Sequence, residues 1–185
     1  MRGYVLAGRG ETTPGLALAR KGWADWTATG SRYHATYYLA LLAQTCERAG
    51  QVDEALDLVD MALKMADGMG ERWFEAELHR VQGEWLGVHR RDGQQQAEAC
   101  FHRALTVARE QHARLWELRA ATSLARYRER QGKRTDALDL LTPVQSRFPE
   151  GLNTPDATDA KTLLDDICEG PGRGLRPDDP QQRTD

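Results

Sequence analysis

Apolar residues recur along this chain at helical spacing, three and four positions apart, and nowhere alternate over a useful length, so the pattern predicts helices and no strand. Paired helices are expected at about 32–49 with 53–66, 72–88 with 95–109, and 114–131 with 135–148. A further helix over 11–27 reads as the second member of a pair whose first member is reduced to 3–8. No proline lies between Pro14 and Pro143, and the interval is rich in Ala, Leu, Glu, Arg and Gln, as continuous helix formation requires.

The pattern repeats. Gly50-Gln51-Val52-Asp53-Glu54-Ala55-Leu56-Asp57-Leu58 returns as Gly132-Lys133-Arg134-Thr135-Asp136-Ala137-Leu138-Asp139-Leu140, with weaker copies beginning at Gly10 and Gly93. The small residue of each copy falls at Gly15, Ala55, Ala97 and Ala137, in steps of 40, 42 and 40 residues. A fixed period in this range signals stacked helical repeats. The joints repeat independently: Gly30-Ser31-Arg32-Tyr33, Gly70-Glu71-Arg72-Trp73 and His112-Ala113-Arg114-Leu115 each place an Arg and a bulky apolar residue at the start of a first helix. Gly50 suits a helix C′ position of positive φ, and Asp53 is expected to cap the following helix.

Within each second helix one row of positions lies on a single face. It holds Gly15, Ala19 and Gly22; Ala55, Val59 and Ala62; Ala97, Phe101 and Ala104; and Ala137, Leu141 and Val144. Small residues at its ends let the partner helix approach, and the larger middle residue fills the hollow. This arrangement resembles the tetratricopeptide repeat (TPR): Leu39, Leu42, Ala43, Ala55, Val59 and Ala62 match that family's pattern, as do Ala121, Leu124, Ala125, Ala137, Leu141 and Val144. The middle repeat matches on its second helix. On its first, the equivalent positions hold His79, Gln82 and Gly83, whereas Leu78, Val81 and Trp85 look apolar, leaving the register there open by one residue. The period is longer than the family's usual one.

The expected fold is therefore all-α: a right-handed α-solenoid of antiparallel helix pairs, TPR-like, with a period of 40–42. A partial repeat over 1–30 is followed by repeats 31–70, 71–112 and 113–150. Thr154-Pro155-Asp156 then reads as N-cap, N1 and an acidic first turn, opening a capping helix over 154–168 whose stripe is Ala157, Ala160, Leu163, Leu164 and Ile167. The Gly/Pro-rich stretch 169–185 is expected to be a disordered tail.

A narrower resemblance rests on 70–80, 98–105 and 118–126, and on Phe148-Pro149-Glu150-Gly151-Leu152-Asn153-Thr154-Pro155-Asp156. These segments look like the C-terminal repeat region of large bacterial signalling ATPases, including adenylate and guanylate cyclase-like proteins. The similarity runs from Gly3 to Ile167 and implies a sensor or scaffold piece; the family's ATPase and cyclase domains are not in this sequence, so no catalytic residue carries over.

Composition adds exclusions. A net charge of -3 provides no basic face for nucleic acid. No apolar run approaches a membrane span, and the start does not read as a signal peptide. Cys46, Cys100 and Cys168 are odd in number and far apart, as expected of reduced thiols in a cytoplasmic protein. The only Gly-Lys pair, Gly132-Lys133, is followed by Arg134 in a helix–helix turn and is not a phosphate loop. No two of His34, His79, His89, His102 and His112 have the helical zinc spacing, and no Ser sits in a nucleophile elbow. No catalytic residue, metal site or cofactor is expected.

The reading is a noncatalytic scaffold or sensor that binds protein or peptide along its first helices. By resemblance that surface includes Tyr37, Gln44, Glu47 and Arg48 in one repeat, and Arg119, Thr122, Arg126 and Glu129 in another. The second set is cationic and favours an acidic or carboxylate-bearing partner. The alternative is a regulatory fragment of a larger ATPase or nucleotide cyclase, acting on such a domain in cis or in trans. The uncovered face of the opening half-pair also suggests a homodimer contact. Of Trp23, Trp26, Trp73, Trp85 and Trp116, most are expected in helix packing; an exposed one would anchor a partner.

Overall fold

The computed structural model describes residues 1–148 and 154–169. These form helices only: α1 (Arg2–Gly8), α2 (Thr12–Ala28), α3 (Ala35–Arg48), α4 (Val52–Met69), α5 (Glu75–His89), α6 (Gln94–Glu110), α7 (Arg114–Arg130), α8 (Arg134–Gln145) and α9 (Pro155–Glu169). Among the described residues there is no strand. Helices α1/α2, α3/α4, α5/α6 and α7/α8 pack as hairpins, each pair stacks on the next, and α9 closes the series against α7 and α8.

The turns follow from local chemistry. Gly10, Gly50 and Gly132 have φ of +92, +78 and +77. At Gly50 the Gln51 N–H donates to the Cys46 carbonyl (2.9 Å) and the Gly50 N–H to that of Glu47 (2.8 Å), which satisfies the free end of α3. Lys133 to Arg128 (2.9 Å) and Glu11 to Leu6 (3.1 Å) repeat the closure. Between pairs, His112 takes the left-handed place that Gly30 and Gly70 hold at the other joints, with φ +53. The third internal turn differs. Its two extra residues put Arg90 in an extended conformation and Gly93 at φ -84, as the N-cap of α6.

Two local expectations are corrected. Asp53 does not cap α4: the helix starts one residue earlier, Gln51 is its N-cap, and Asp53 lies in the first turn, where its charge faces the positive end of the helix. Glu169 belongs to α9 rather than to a tail. By contrast, Thr154 does cap α9, accepting from the Ala157 N–H at 3.3 Å. The expected end of the last repeat, at 149–150, and the stretch from 170 onward lie outside the described residues.

The second-helix row forms the crossing surface. Ala55, Val59, Ala62, Ala97, Phe101, Ala104, Ala137, Leu141 and Val144 are all buried. At Gly15 an added Cβ would lie 2.7 Å from the Ala7 nitrogen and the Gly3 oxygen, so α1 touches α2 backbone to backbone. The middle register is settled in the same way. A Cβ at Gly83 would meet the Phe101 ring at 2.9 Å, so Gly83 is the small residue at the crossing, equivalent to Ala43 and Ala125. The register open by one residue therefore resolves to that set by the period, with His79 and Gln82 on the α5 face that elsewhere carries Leu.

The core falls into two large clusters, one uniting α2 to α5 and the other α6 to α9, with a small third of Ala76, Val107 and Ala108 between α5 and α6. The two large clusters meet at the α5–α6 crossing, where Gly83 brings the backbones close, and Gly87 makes room for the Tyr127 ring of α7. First helices stack α1 on α3, α5 on α7 and α7 on α9. Helices α3 and α5 do not share such a backbone contact; they meet through aromatic side chains at their N-terminal ends, with Tyr37 and Phe74 edge-to-face at 5.2 Å. Toward their C-terminal ends His89 of α5 reaches Glu47 of α3 at 3.4 Å, and a space opens beside that contact.

Candidate functional site

That space is a cavity of about 350 Å³ lined by Glu47 of α3, by Glu84, Trp85, Gly87, Val88 and His89 of α5, by Phe101 of α6, and by Ser123, Arg126, Tyr127 and Arg130 of α7. A smaller cavity of about 210 Å³ adjoins it, sharing Glu84, Ser123 and Arg126, and reaches Arg80, Arg119, Thr122, Asp156 and Asp159. Together they run along the face made by α3, α5, α7 and α9.

A charged network floors this face. Arg80 donates twice to Glu77 (2.8 Å each), lies 2.5 Å from Glu84, and donates to Ser123 Oγ at 3.1 Å. Ser123 in turn donates to Glu84 at 2.7 Å. Burial opposes the Arg80 charge, but Glu77 and Glu84 outweigh it and hold the guanidinium protonated. The bidentate, planar match of Arg80 to Glu77 explains how a nearly buried cation is tolerated. Ser123 sits in the middle of α7, where backbone N–H groups are consumed by the helix. No backbone oxyanion donor is therefore at hand beside it.

The structure separates the eight residues singled out from the sequence. Glu47 lines the larger cavity, Arg119 and Thr122 line the smaller one, and Arg126 lines both. Tyr37 lines neither; it packs between Tyr38, Trp73 and Phe74 at the joint. Gln44 and Arg48 are taken by α1: Tyr4 Oη donates to Gln44 at 3.4 Å, and the Arg48 guanidinium lies 4.4 Å above the Tyr4 ring. Glu129 pairs at 3.6 Å with Arg134 across the α7–α8 turn.

The cationic set is also less free than its sequence implies. Arg119 donates to Asp156 at 2.7 Å, lies 3.7 Å from Glu77 and covers the Trp116 ring. Arg126 donates to Asp159 at 2.7 Å. Thr122 spends its hydroxyl proton on the Leu118 carbonyl (2.8 Å). Arg130 is exposed and has no carboxylate partner among the described residues, and Val88 is 62% exposed beside it on the cavity wall.

Sequence reasoning missed Arg80, Glu84 and Val88. The signal is present: stepping one period from Gln44 gives Glu84 and then Arg126, and stepping from Arg48 gives Val88 and then Arg130. The middle repeat escapes because its apolar pattern conceals the register. Asp156 and Asp159 carry no such signal, since α9 has no second helix to align.

A third cavity, about 400 Å³, opens at the other end of the stack, between α1, α2 and α3. Its walls are mostly apolar: Leu18, Ala19, Trp23, Trp26, Tyr38, Leu41 and Leu42. Helix α1 has 7 residues against 17 in α2; its Gly3 still meets the Ala19 backbone, whereas Gly22 of the crossing row has nothing against it.

Among the described residues no three His, Cys, Asp or Glu side chains converge on a metal position, and no helix is long and apolar enough to cross a membrane.

No protein-family model and no curated protein matches this chain. A solved structure does: a crystal structure of nearly identical TPR-like repeats of a kinesin light chain protein from Podosopora anserina. It superposes with a TM-score of 0.66 over 90% of this chain and 82% of that one, at 17% sequence identity. The chain thus has a TPR-like repeat fold.

Proposed function

We propose that this chain is a noncatalytic peptide-docking module whose ligand lies along the first-helix face. One observation carries the reading: the two adjoining cavities that share Glu84, Ser123 and Arg126. The repeat fold supports it, since stacked helical repeats build extended surfaces for binding other chains. The charges on the cavity floor are already paired, so the face offers orientation and complementarity rather than a free acid or base. Of the expected preference for an acidic partner, what is left on offer is Arg130, with Val88 and Trp85 supplying apolar contact. A segment pairing an apolar side chain with a carboxylate fits this combination. The resemblance to repeats of signalling ATPases makes an ATPase or nucleotide cyclase domain, in cis or in trans, the first partner to try.

The test compares proteins retained by the wild-type chain with those retained by Val88→Asp plus Arg130→Glu, and by Arg119→Ala plus Arg126→Ala. The first pair changes exposed groups and should abolish retention while leaving the melting temperature in place. The second also releases α9 and should lower both. Identical retained partners across all three would refute docking on this face.

The apolar cavity at the α1 end favours a second reading, a homodimer through that face. Trp26→Asp would then shift the sedimentation mass from twice the chain mass to the chain mass; a wild-type chain that sediments as a monomer at high concentration refutes it.

A further inference from the structure

The starts of the first helices carry a feature that the groove does not use. Tyr33, Trp73 and Leu115 occupy equivalent positions at three successive joints, and they are 74%, 41% and 41% exposed. A solvated rim gives no reason for three bulky apolar residues at the same place. They are not isolated from one another. Tyr33 meets His34 at a tilt (3.9 Å between centroids), His34 meets Trp73 edge-on (5.4 Å), Trp73 meets Phe74 (5.0 Å), and Phe74 meets Trp116 (5.4 Å), which follows Leu115 in the chain. The result is an unbroken aromatic line from Tyr33 to Trp116, with Tyr33 and Trp73 exposed and Phe74 and Trp116 turned toward the core.

An arginine precedes each anchor: Arg32, Arg72 and Arg114. Arg72 is engaged by Glu75 at 2.6 Å, with Glu110 and Asp67 nearby, so the middle of the rim is neutralised. Arg32 and Arg114 are exposed and have no carboxylate within salt-bridge reach among the described residues. The rim is therefore an aromatic and apolar line with a free cation at each end, its one carboxylate at His34, Glu71, being taken by the His34 N–H at 2.7 Å.

We propose that this rim is a second docking surface, and that its occupant is an amphipathic helix bearing apolar residues seven positions apart with acidic residues beside the outer two. Spacing selects the helix. The ring contacts hold Trp73 within about 10 Å of Tyr33 on one side and of Trp116 on the other, a step of the size expected between neighbouring helices. A helix rising about 1.5 Å per residue returns to the same face after seven residues and about 10.5 Å. A bound strand would present same-face side chains every 6–7 Å or so and fall out of step by the third anchor. Charge selects the flanks, because Arg32 and Arg114 each lack a counterion. Aromatic and Arg residues together are the side chains that dominate binding energy at protein interfaces.

The probe is a synthetic helical peptide with Leu at every seventh position flanked by Glu, followed by fluorescence anisotropy; its controls are a register-scrambled peptide and a version with Lys in place of Glu. Wild type should bind the Glu peptide at least about tenfold more tightly than either control. Tyr33→Ser plus Leu115→Ser should weaken it by about tenfold or more. Arg32→Glu plus Arg114→Glu should weaken the Glu peptide and strengthen the Lys peptide, an exchange that misfolding cannot produce. Val88→Asp plus Arg130→Glu should leave binding unchanged, which separates this surface from the groove. Equal binding of the scrambled peptide, failure of the charge exchange, or loss confined to the groove variant would each overturn the proposal.

Discussion

Adding one methyl group to Gly83 should destabilise the protein, and adding the same group to Gly22 should stabilise it. Both glycines lie inside helices, α5 and α2, so both substitutions by alanine gain the same helix preference, about 0.8–1 kcal/mol. Their surroundings differ. A Cβ at Gly22 has nothing within 4 Å. A Cβ at Gly83 would lie 2.9 Å from two carbons of the Phe101 ring and 3.0 Å from the Ala97 carbonyl oxygen. Neither neighbour can yield easily. Phe101 is 1% exposed and packs against Tyr127 at 5.5 Å, while the carbonyl belongs to the α6 backbone. Overpacking of this kind costs about 1–3 kcal/mol. The helix preference cancels between the two variants, so their difference is the overpacking cost alone. In a chain of this size each kcal/mol moves the midpoint by about 2–4 °C. Thermal unfolding followed by the helical circular-dichroism signal should place Gly83→Ala several degrees below Gly22→Ala and at or below wild type. A Gly83→Ala variant melting level with Gly22→Ala would refute the tight α5–α6 crossing, and with it the register assigned to the middle repeat.

Two further outcomes are expected. Burial lowers the His79 pKa below its ordinary 6.5, with Glu75 opposing the shift, so the folded chain holds the ring neutral while the unfolded chain takes up a proton. Stability from this source is complete above the unfolded value and falls as the pH drops through the folded one; His79→Leu should flatten the loss of melting temperature between about pH 7 and 5, and an acid limb as steep as wild type would show that His79 is not its source. Burial, reinforced by Glu54, pushes the Cys46 thiol up to about 11, whereas Cys168 is exposed on α9. A thiol reagent at mildly alkaline pH should label Cys168 at once and Cys46 only as fast as the chain opens, accelerating with urea; equal labelling rates in buffer would contradict the buried position of Cys46.

The candidate site was half legible. Stepping by one period along the first helices reaches four positions of the main groove wall on α5 and α7, Glu84, Val88, Arg126 and Arg130, but not Trp85 or Ser123. The step is obscured in the middle repeat because His79, Gln82 and Gly83 stand where its neighbour carries Leu39, Leu42 and Ala43. Glycine at a crossing reads in sequence as a weak helix residue; only the Phe101 ring pressed against it shows that its smallness is used.

What the sequence determines by itself is local. Helix type, the Gly10, Gly50 and Gly132 turns and the cap at Thr154 depend on interactions among residues a few positions apart, and the period is only the recurrence of these short signals. What the tertiary structure decides is which surface groups remain available. Arg119 finds Asp156 at a separation of 37 residues, Arg126 finds Asp159 at 33, and Arg48 covers Tyr4 at 44. A charge on a helix face looks the same in sequence whether it meets water or a carboxylate on the next helix. Stacking brings α9 onto α7 and α1 onto α3, and so turns residues that look like binding groups into internal ties.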